Sequence, residues 1–334
     1  MGNPADTPWP ETRPSPSVRP AVSVIVPCYG VTEYIAQALD SLRTQTFRDF
    51  EVLLVNDGCP DTPNLERVLA PYRDEIQYIK QENQGPSGAR NTGIRAARAP
   101  LIANLDGDDF WAPEYLEKQV GYLQAHPEVD VVYPDAVFFG GTAWDGKRFM
   151  DMIPGVGEPT FRNILSGKCT VIYGATARRD AIMRAGLFDA EFRGAEDFDL
   201  WLRVARMGSK TACVREPLVY YRIRRGSLSN DRIAVQKCSI QVCEKLLQSG
   251  DLSKEDEQAI YDTLRVRRAG LDFVLGRKAL YAGDTDEALE RLRRANQFMD
   301  NRKLRAAIVL LRICPRLLFR LLHIRYPTEH EFLH

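Results

Sequence analysis

The stretch of sequence that decides the fold is Leu101-Ile102-Ala103-Asn104-Leu105-Asp106-Gly107-Asp108-Asp109-Phe110-Trp111, where an apolar strand pattern ends in three carboxylates within four residues. Like charges this close repel one another, and carboxylates at a strand end are partly desolvated. A divalent cation is the least costly counter-charge, so the stretch predicts a site for a hard, oxygen-bound metal ion. The alternative is a polar turn in which Asp109 caps a helix that begins near Pro113 and Glu114.

Upstream of this stretch, apolar strands alternate with amphipathic helices. Two near-continuous apolar runs, 22–27 and 50–55, are typical of strands buried on both faces. The other predicted elements are a helix over 32–43 with Thr32 as its N-cap, helices over 64–71 and 87–97, and strands over 76–80 and 100–105. This β-α-β-α order predicts a mostly parallel sheet flanked by helices. Ligands bind at the carboxyl ends of such strands, where both Asp57 and Asp106 fall.

Changes in composition predict the domain boundaries. Residues 1–20 contain six prolines and little apolar material, which indicates a flexible tail. The α/β pattern fills 21–232, with a long loop region after Val137 that is rich in glycine and proline. Residues 233–334 read as a helical region, with breaks near Gly250, Gly283 and Pro315.

Composition limits the classes of function. The formal net charge of the 334 residues is +0, so nothing in the charge balance indicates a nucleic-acid partner. The seven cysteines are odd in number and form no CxxC pair, which favours a reducing compartment over a disulfide framework. The four histidines lack zinc-ligand spacing. No window is apolar enough to span a membrane and no signal peptide begins the chain, so we expect a cytoplasmic location.

Five motifs occur together and in order. They are Pro27-Cys28-Tyr29, Val55-Asn56-Asp57-Gly58, the segment from Asn83 to Gly93, Asp106-Gly107-Asp108-Asp109, and the segment from Gly194 to Arg203. With these motifs the chain resembles the family 2 glycosyltransferases of the GT-A fold over roughly residues 21–230. Gly30 departs from the family, which often has Asn there. The fold class implied is α/β, a Rossmann-like, mostly parallel sheet flanked by helices, followed by a C-terminal helical region.

The resemblance implies a nucleotide-sugar donor and a divalent cation. The donor-binding residues that it implies are Pro27, Tyr29, Asp57, Gly85, Arg90, Asp106 and Arg222. Asp57 is placed to accept a hydrogen bond from the base, as uracil N3–H would offer, the alternative being a turn residue before Gly58. By analogy Asp108, together with Asp106, holds Mn²⁺ or Mg²⁺ against the diphosphate. Asp109 would then lie behind these ligands or cap a helix.

Glycines mark the start of the helix that follows residue 84. Gly85, Gly88 and Gly93 are compatible with a close backbone approach to a nucleotide, with Arg90 supplying positive charge. The alternative for Arg90 is an internal ion pair that holds an aspartate such as Asp57.

The pair Glu196-Asp197 contains the candidates for the base that the implied transfer reaction needs. In an inverting transfer a carboxylate takes the proton of the attacking hydroxyl, and analogy puts that base at Asp197. The apolar residues that follow indicate partial burial, which raises the pKa of a carboxylate. Glu196 is the second catalytic candidate or orients a loop, and Asp199 is predicted on the solvated face. The alternative for the cluster is a set of acids favoured by the helix dipole.

Two basic segments follow. Tyr220 to Ser229 matches the family segment that often closes over the donor, where arginines would pair with a diphosphate. Between Asn301 and Thr328 seven basic residues alternate with apolar ones and no acid occurs. This amphipathic pattern fits an anionic membrane surface, the catalytic domain or a second subunit. The chain would then work at the inner face of the membrane or as a homo-oligomer.

The sequence therefore predicts an inverting, metal-dependent glycosyltransferase of cell-surface polysaccharide or glycan synthesis. Its donor would be a nucleotide-sugar, a UDP-sugar by family frequency, and its acceptor a glycan, a lipid-linked glycan or another hydroxyl compound. Two alternatives stay open, a non-catalytic sugar- or partner-binding module and another nucleotide-using α/β enzyme. Against the latter, neither a G-x-G-x-x-G after the first strand nor a P-loop occurs.

Overall fold

The computed structural model describes residues 19–152, 155, 157–172, 174–224, 227, 231–315, 317–318 and 320–321. The chain divides into two compact units, Met1–Arg224 and Arg225–His334. Almost all of the predicted proline-rich tail lies outside the described residues. The predicted domain boundary at 232/233 stays a prediction.

The first unit alternates strands and helices along most of its length. Its elements are β1 Val22–Cys28, α1 Ile35–Arg43, β2 Phe50–Asp57, α2 Thr62–Leu69, a 3₁₀ turn Ala70–Tyr72, β3 Ile76–Gln81, α3 Gly85–Ala96, β4 Leu101–Asn104, β5 Phe110–Trp111, α4 Tyr115–Ala125, β6 Val129–Phe139, α5 Phe149–Met152, α6 Phe161–Leu165, β7 Thr176–Arg178, α7 Arg179–Arg184, α8 Glu196–Arg206 and β8 Lys210–Arg222.

These strands form one mixed sheet. The order is β3-β2-β1-β4-β7-β6-β8-β5. The first four strands are parallel, and Val22 of β1 pairs with Phe50 on one side and Leu101 on the other. β7 runs antiparallel to both β4 and β6, and β5 runs antiparallel to β8. The predicted α/β class is confirmed, and the antiparallel strands are an addition that the alternating pattern of residues 21–105 does not contain.

Close packing at β1 fixes where the ligand-facing edge lies. The side chains of Val24, Ile25 and Val26 are fully buried, as a strand covered on both faces requires. α3 packs against this strand, and a Cβ atom on Gly93 would lie 2.4 Å from Cγ2 of Ile25. Glycine at this position lets helix and sheet approach. The carboxyl ends of β1, β2 and β4 consequently meet at one edge.

Three local predictions are wrong. α1 begins at Ile35, not at Thr32, whose hydroxyl lies 3.8 Å from Sγ of Cys59 and caps no helix. α4 begins at Tyr115 with Glu114 as its N-cap residue, so Asp109 does not cap it. The loop predicted after Val137 begins later, because β6 extends to Phe139 through its parallel pairing with β8.

The second unit is helical, as predicted. Its helices are α9 Arg232–Gln248, α10 Lys254–Ala282, α11 Thr285–Met299 and α12 Arg302–Ile313. Breaks fall near Gly250 and at Gly283, which has φ +82° and ends α10 in the left-handed conformation. A further break at Asp300, also left-handed, was not predicted. No helix in the described part of the chain is both long and apolar enough to cross a membrane.

The core of the second unit joins its last three helices. Buried Leu280 and Leu292 bring α10 and α11 together with Ile308 and Leu311 of α12. A Cβ atom on Gly276 would lie 2.8 Å from Cγ of Leu292, so α10 and α11 cross closely at this glycine. α12 is therefore packed on the α10–α11 pair along one of its faces.

Candidate functional site

A cavity lies at the carboxyl end of β4, where residues from distant parts of the first unit meet. α3 contributes Arg90, the end of β4 contributes Asn104, and Asp106 lies two residues further on. The complete lining is Arg90, Asn104, Asp106, Ile172, Gly174, Ala175, Asp197 and Trp201. The structure thus brings together three residues that the sequence predicted separately: Arg90, Asp106 and Asp197.

Arg90 is a buried cation shared by two carboxylates. Its Nη2 atom donates to Oδ1 of Asp106 at 2.7 Å, and Nη1 donates to Oε1 of Glu196 at 2.9 Å. Burial alone would lower the pKa of Arg90, but the negative charges of Asp106, Asp197 and Glu196 raise it well above the usual value. The ion-pair alternative is thus the one observed, and its partners are Asp106 and Glu196, not Asp57.

Glu196 orients a loop, as one of the two predictions for it stated. Its second carboxylate oxygen accepts a 2.8 Å hydrogen bond from the backbone N–H of Gly194, so both oxygens have partners. Only 10% of the side chain is exposed. The contact bends the chain into the first turn of α8 and fixes the residue that follows, Asp197.

Asp197 is a carboxylic acid in the cavity whose pKa lies close to neutral pH. No described residue donates a hydrogen bond to its carboxylate, and its position in the first turn of α8 faces Asp106 and Arg90. Burial raises the pKa of Asp197, Arg90 opposes the rise, and the charges of Glu196 and Asp106 add to it, for a pKa of about 7. A carboxylate with this pKa exchanges a proton near neutral pH.

Asp199 is not on a solvated face, which corrects the prediction. The residue is 3% exposed and its carboxylate accepts from Nε of Arg203 at 3.0 Å, one helical turn further on. Arg203 also donates to the carbonyl of Leu187 at 2.7 Å. This pair ties α8 to the preceding loop, so Asp199 has a structural role.

The three carboxylates after β4 each contact a different partner. Asp106 pairs with Arg90, whereas Oδ2 of Asp108 accepts from Nε of Arg224 at 2.6 Å. Asp109 is 4% exposed and accepts from the backbone N–H of Arg222 at 2.8 Å. Burial, with the charges of Asp108 and Asp106, raises the pKa of Asp109 well above the usual value. Arginine side chains therefore pair with Asp106 and Asp108, whereas Asp109 is contacted by a backbone N–H and still feels the charges of the other two.

Arg222 belongs to strand β8, not to a loop, which corrects the prediction for Tyr220 to Arg222. Its Nε donates to the backbone carbonyl of Asp108 at 2.8 Å and its Nη2 donates to Oε1 of Gln37. The guanidinium also lies 4.3 Å from the ring centre of Phe139. Arg222 thus holds the turn that carries Asp108. Arg225 and most of the residues to Ser229 lie outside the described residues.

Asp57 ends β2 and is almost fully buried, with 2% of its surface exposed. Its Oδ1 accepts from the backbone N–H of Gln84 at 2.8 Å and from Nε2 of Gln81 at 2.7 Å. These bonds hold one carboxylate oxygen in place just before α3. The carboxylate keeps acceptor capacity for a donor base, and the role stays a prediction.

The remaining predicted donor contacts lie at the rim of this edge. Tyr29 is 50% exposed directly after β1, and Pro27 precedes it. Gly85 opens α3 with φ +75°, a left-handed conformation that favours glycine. A Cβ atom on Gly88 would meet Cβ of Gln84 at 2.3 Å. Like Gly93, Gly88 therefore allows close packing within the protein, and the predicted approach to a nucleotide stays a prediction.

The oxygen ligands after β4 fit a hard cation that is shared with a diphosphate. Among the described residues no three His, Cys, Asp or Glu side chains group into a metal site. Mg²⁺, however, is usually held by one or two carboxylates together with substrate phosphates. Asp108 with 17% of its side chain exposed and Asp106 with 24% could supply these two ligands. The residues therefore fit a cation held jointly with a substrate.

Five of the eight lining residues were not predicted as site candidates, and two of them, Asn104 and Trp201, have side chains suited to contact a ligand. Oδ1 of Asn104 is buried and accepts no hydrogen bond from any described residue. Trp201 reaches the cavity from one turn beyond Asp197. Position gives a signal for both: Asn104 is the last residue of a strand that ends at the site, and Trp201 is four residues after Asp197 on one helix face.

The chain is similar in sequence to known glycosyltransferases. Residues 23–184 match the family model described as glycosyl transferase family 2. The chain is 31% identical over 217 residues to a putative glycosyltransferase EpsH of Bacillus subtilis, covering 63% of this chain and 62% of the relative. It is 29% identical over 197 residues to an uncharacterised glycosyltransferase of Rickettsia typhi, covering 57% and 60%. It spans 28% to 60% of the length of five Rickettsia relatives.

Solved structures share the fold. A crystal structure of S. aureus TarS 1-349 in complex with UDP-GlcNAc has a TM-score of 0.62 and 19% identity, covering 92% of this chain and 91% of that one. A mannosyltransferase from Pyrobaculum calidifontis in complex with GDP-Man and Mn²⁺ has a TM-score of 0.59 and 20% identity, covering 98% and 92%. At these identities the likeness is one of fold, the GT-A arrangement of sheet and flanking helices.

Proposed function

Since residues 23–184 match the family model described as glycosyl transferase family 2, we propose that the chain belongs to this family and transfers a sugar from a nucleotide-sugar to a hydroxyl group. Two proteins of the same fold were solved with nucleotide-sugars, UDP-GlcNAc in one and GDP-Man in the other. A nucleoside diphosphate sugar is accordingly the donor class, and a UDP-sugar is the first to test.

The observation that carries this proposal is the Asp197 carboxylate in the cavity. The acceptor hydroxyl must lose its proton as it attacks the anomeric carbon. Asp197 is ionised in a substantial fraction of molecules near pH 7, since its pKa is about 7, and no hydrogen bond from a described residue engages it. Asp197 can thus accept the proton without first breaking a protein contact.

Inversion follows from a single displacement with one base. Asp106 and Glu196 are held by Arg90, so neither is free to act as a nucleophile, and the proposal gives the remaining carboxylate, Asp197, the role of base. Asp197 then serves as base and Glu196 as a positioning residue. In this arrangement Arg90 neutralises the carboxylates next to the base and fixes the start of α8.

The donor would extend from Asp57 to the cavity. Asp57 accepts from the base, with its Oδ1 already fixed by Gln81 and Gln84. Asn104 accepts from a hydroxyl of the donor, because its buried Oδ1 atom is otherwise without a donor among the described residues. Such a bond would remove the free-energy penalty of a buried, unpaired acceptor.

Asp108, with Asp106, would hold Mn²⁺ or Mg²⁺, which neutralises charge on the diphosphate leaving group. Arg224 now pairs with Asp108 and would turn to a phosphate oxygen when the carboxylate changes partner. A mannosyltransferase of this fold was solved with Mn²⁺, which supports the choice of metal.

The setting of the reaction is part of the same proposal. The seven cysteines are all free, which fits a reducing compartment such as the cytoplasm. The acceptor would be a glycan, lipid-linked or otherwise, of a cell-surface polysaccharide.

The test is a thermal-shift screen with UDP, GDP and dTDP, each with and without Mn²⁺, followed by release of nucleoside diphosphate from the matching sugar donor. One nucleotide should stabilise the protein more with the metal than without it, in proportion to the logarithm of its saturation. Asp197→Asn should keep this shift and lose turnover, and Asp180→Asn, at an exposed carboxylate on α7, is the matched control. Binding without turnover in the wild type would favour a non-catalytic module.

A further inference from the structure

Helix α12 has apolar side chains on two faces, and only one face is used by the core. Ile308 and Leu311 are buried in the cluster shared with α10 and α11. Val309 and Ile313, one turn apart, are 51% and 76% exposed. A helix stabilised only by packing on its neighbours needs one apolar stripe, with polar residues opposite. The second stripe is thus unexplained by the core of this unit.

The exposed apolar residues continue at the same spacing past the end of α12. Leu317 and Leu321 are 46% and 50% exposed, and each lies four residues beyond the one before, after Ile313. Of the eleven large hydrophobic side chains that are exposed among the described residues, these four fall within 13 residues. We call Val309, Ile313, Leu317 and Leu321 the exposed stripe.

The charge around the exposed stripe has one sign. Arg312 and Arg320 are exposed beside it, and the segment from Asn301 to Thr328 contains no Asp or Glu. The neighbouring helix α11 is different, because its Arg291 and Arg294 pair with Asp272 and Glu290. On α12 the ion pair formed by Arg305 uses Asp300, which precedes the helix. Positive charge near the exposed stripe is therefore left uncompensated by acids of its own segment.

We propose that the exposed stripe and its flanking arginines bind an anionic lipid surface. Apolar side chains enter the boundary between headgroups and acyl chains, and arginines beside them pair with lipid phosphates. α12 is 12 residues long, or about 18 Å, which is shorter than the roughly 30 Å of a bilayer core, so the helix lies in the interface and does not span it. This surface goes beyond the proposed transfer reaction and does not depend on it.

The test is sedimentation of the full chain with vesicles of phosphatidylcholine alone or with phosphatidylglycerol added. Binding should require phosphatidylglycerol and weaken as salt rises, because salt screens the attraction. Arg312→Gln with Arg320→Gln should lower the partition constant about thirtyfold, since each basic residue near such a surface contributes roughly fivefold. Ile313→Gln should lower it as well.

Two control variants separate the exposed stripe from general surface chemistry. Val266→Gln removes an apolar side chain on α10 that is 54% exposed, and Arg293→Gln removes an exposed arginine on α11. Both should bind vesicles as the wild type does. Circular dichroism should show that all variants keep their helix content, as expected for substitutions at exposed positions.

Three results would overturn the proposal. They are equal sedimentation with both vesicle types, no sedimentation with phosphatidylglycerol at low salt, and losses from the control variants as large as those from the stripe variants. A dimer in light scattering that Ile313→Gln converts to monomer, without lipid binding, would assign the exposed stripe to a second copy of the chain instead.

Discussion

Nη1 of Arg90 donates a 2.9 Å hydrogen bond to Oε1 of Glu196, a residue 106 positions later in the chain. The bond links α3, whose N-cap residue Gln84 donates to Asp57, to the first turn of α8, which carries Asp197. The other arm of Arg90 binds Asp106 at the end of β4. One side chain therefore joins α3, the end of β4 and the start of α8.

Arg90→Ala should destabilise the fold strongly. Asp106, Asp197 and Glu196 would lose the cation that faces them. Removing one partner of a buried ion pair typically costs about 3–5 kcal/mol. Urea unfolding at pH 7 measures the loss, and Arg95→Ala, at an exposed arginine of the same helix, should change stability by less than about 0.5 kcal/mol. Equal losses of stability in the two variants would contradict the claim that the ion pairs of Arg90 stabilise the fold.

Asp197→Asn should lower the transfer rate by about 10²–10⁴ with little effect on donor binding, because the amide fills the same space but accepts no proton. In the wild type, kcat/KM should rise with pH up to about pH 7 and then level, since the base must be deprotonated and its pKa is about 7. Initial rates from pH 5 to 9 measure both effects. A near-normal rate in the variant would place the base elsewhere, and Glu196→Gln would then be the next variant to test.

The same variant should change how stability depends on pH. Burial raises the folded-state pKa of Asp197 from the ordinary value of 3.8 to about 7, so folding favours the protonated acid. Its stabilising contribution is present below pH 4 and is lost as the pH rises through 7. Asp197→Asn should therefore be more stable than wild type at pH 8, by on the order of 2 kcal/mol after allowance for solvent screening, and not at pH 4.

Urea unfolding of both proteins at pH 4 and pH 8 checks this linkage. If the difference in unfolding free energy between Asp197→Asn and the wild type is the same at pH 4 and pH 8, the folded state does not raise the pKa of Asp197. Asp180→Asn, at a side chain that is 77% exposed, is the matched control for the loss of a carboxylate.

The sequence predicts the strands well where the pattern is local and less well where strands pair at a distance. β1 and β2 follow from continuous apolar runs, and Gly283 ends α10 by its own left-handed preference. β7 and β8 become strands through contacts with β4 and β6 that are far away along the chain, so periodicity does not reveal them. Asp300 ends α11 in a left-handed conformation that a non-glycine residue seldom adopts.

The same distinction applies to the site. Asp57, Asp106 and Asp197 could be named as candidates because each lies at or after the end of a strand, or opens a helix, within a motif. The partners of Arg90 were not found, since an arginine in a helix does not reveal which of several distant acids it meets after folding. The three acids after β4 suggested one shared cation, whereas the fold gives each its own contact with an arginine.

Asp57→Asn separates a donor role from a structural one. The two bonds to Oδ1, from Gln84 N–H and Gln81 Nε2, are kept if the amide oxygen takes that position, so the fold should survive. The other oxygen becomes an NH₂ group, which cannot accept from the base. The donor KM should rise at least tenfold with kcat changed little, a loss of about 1.4 kcal/mol or more. Gln81→Ala, which removes one bond to Oδ1, is the control and should raise KM less. Unchanged donor KM in Asp57→Asn would leave Asp57 as a turn residue.

Arg224→Gln should affect metal and nucleotide in opposite directions. Arg224 Nε lies 2.6 Å from Oδ2 of Asp108, so a cation that binds this carboxylate must displace the guanidinium. Without the competing charge, Mn²⁺ alone should bind about tenfold more tightly, because a hydrogen bond between charged groups contributes roughly 1.5–3 kcal/mol. The nucleoside diphosphate, in turn, should bind more weakly, since the phosphate loses its arginine.

Calorimetric titration of Mn²⁺ and of UDP in the presence of Mn²⁺ measures the two effects. Asp108→Ala should abolish the metal requirement of nucleotide binding while folding survives. Weaker Mn²⁺ binding in Arg224→Gln, or an unchanged Mn²⁺ requirement in Asp108→Ala, would remove Asp108 from the metal site and leave its pair with Arg224 as a structural contact.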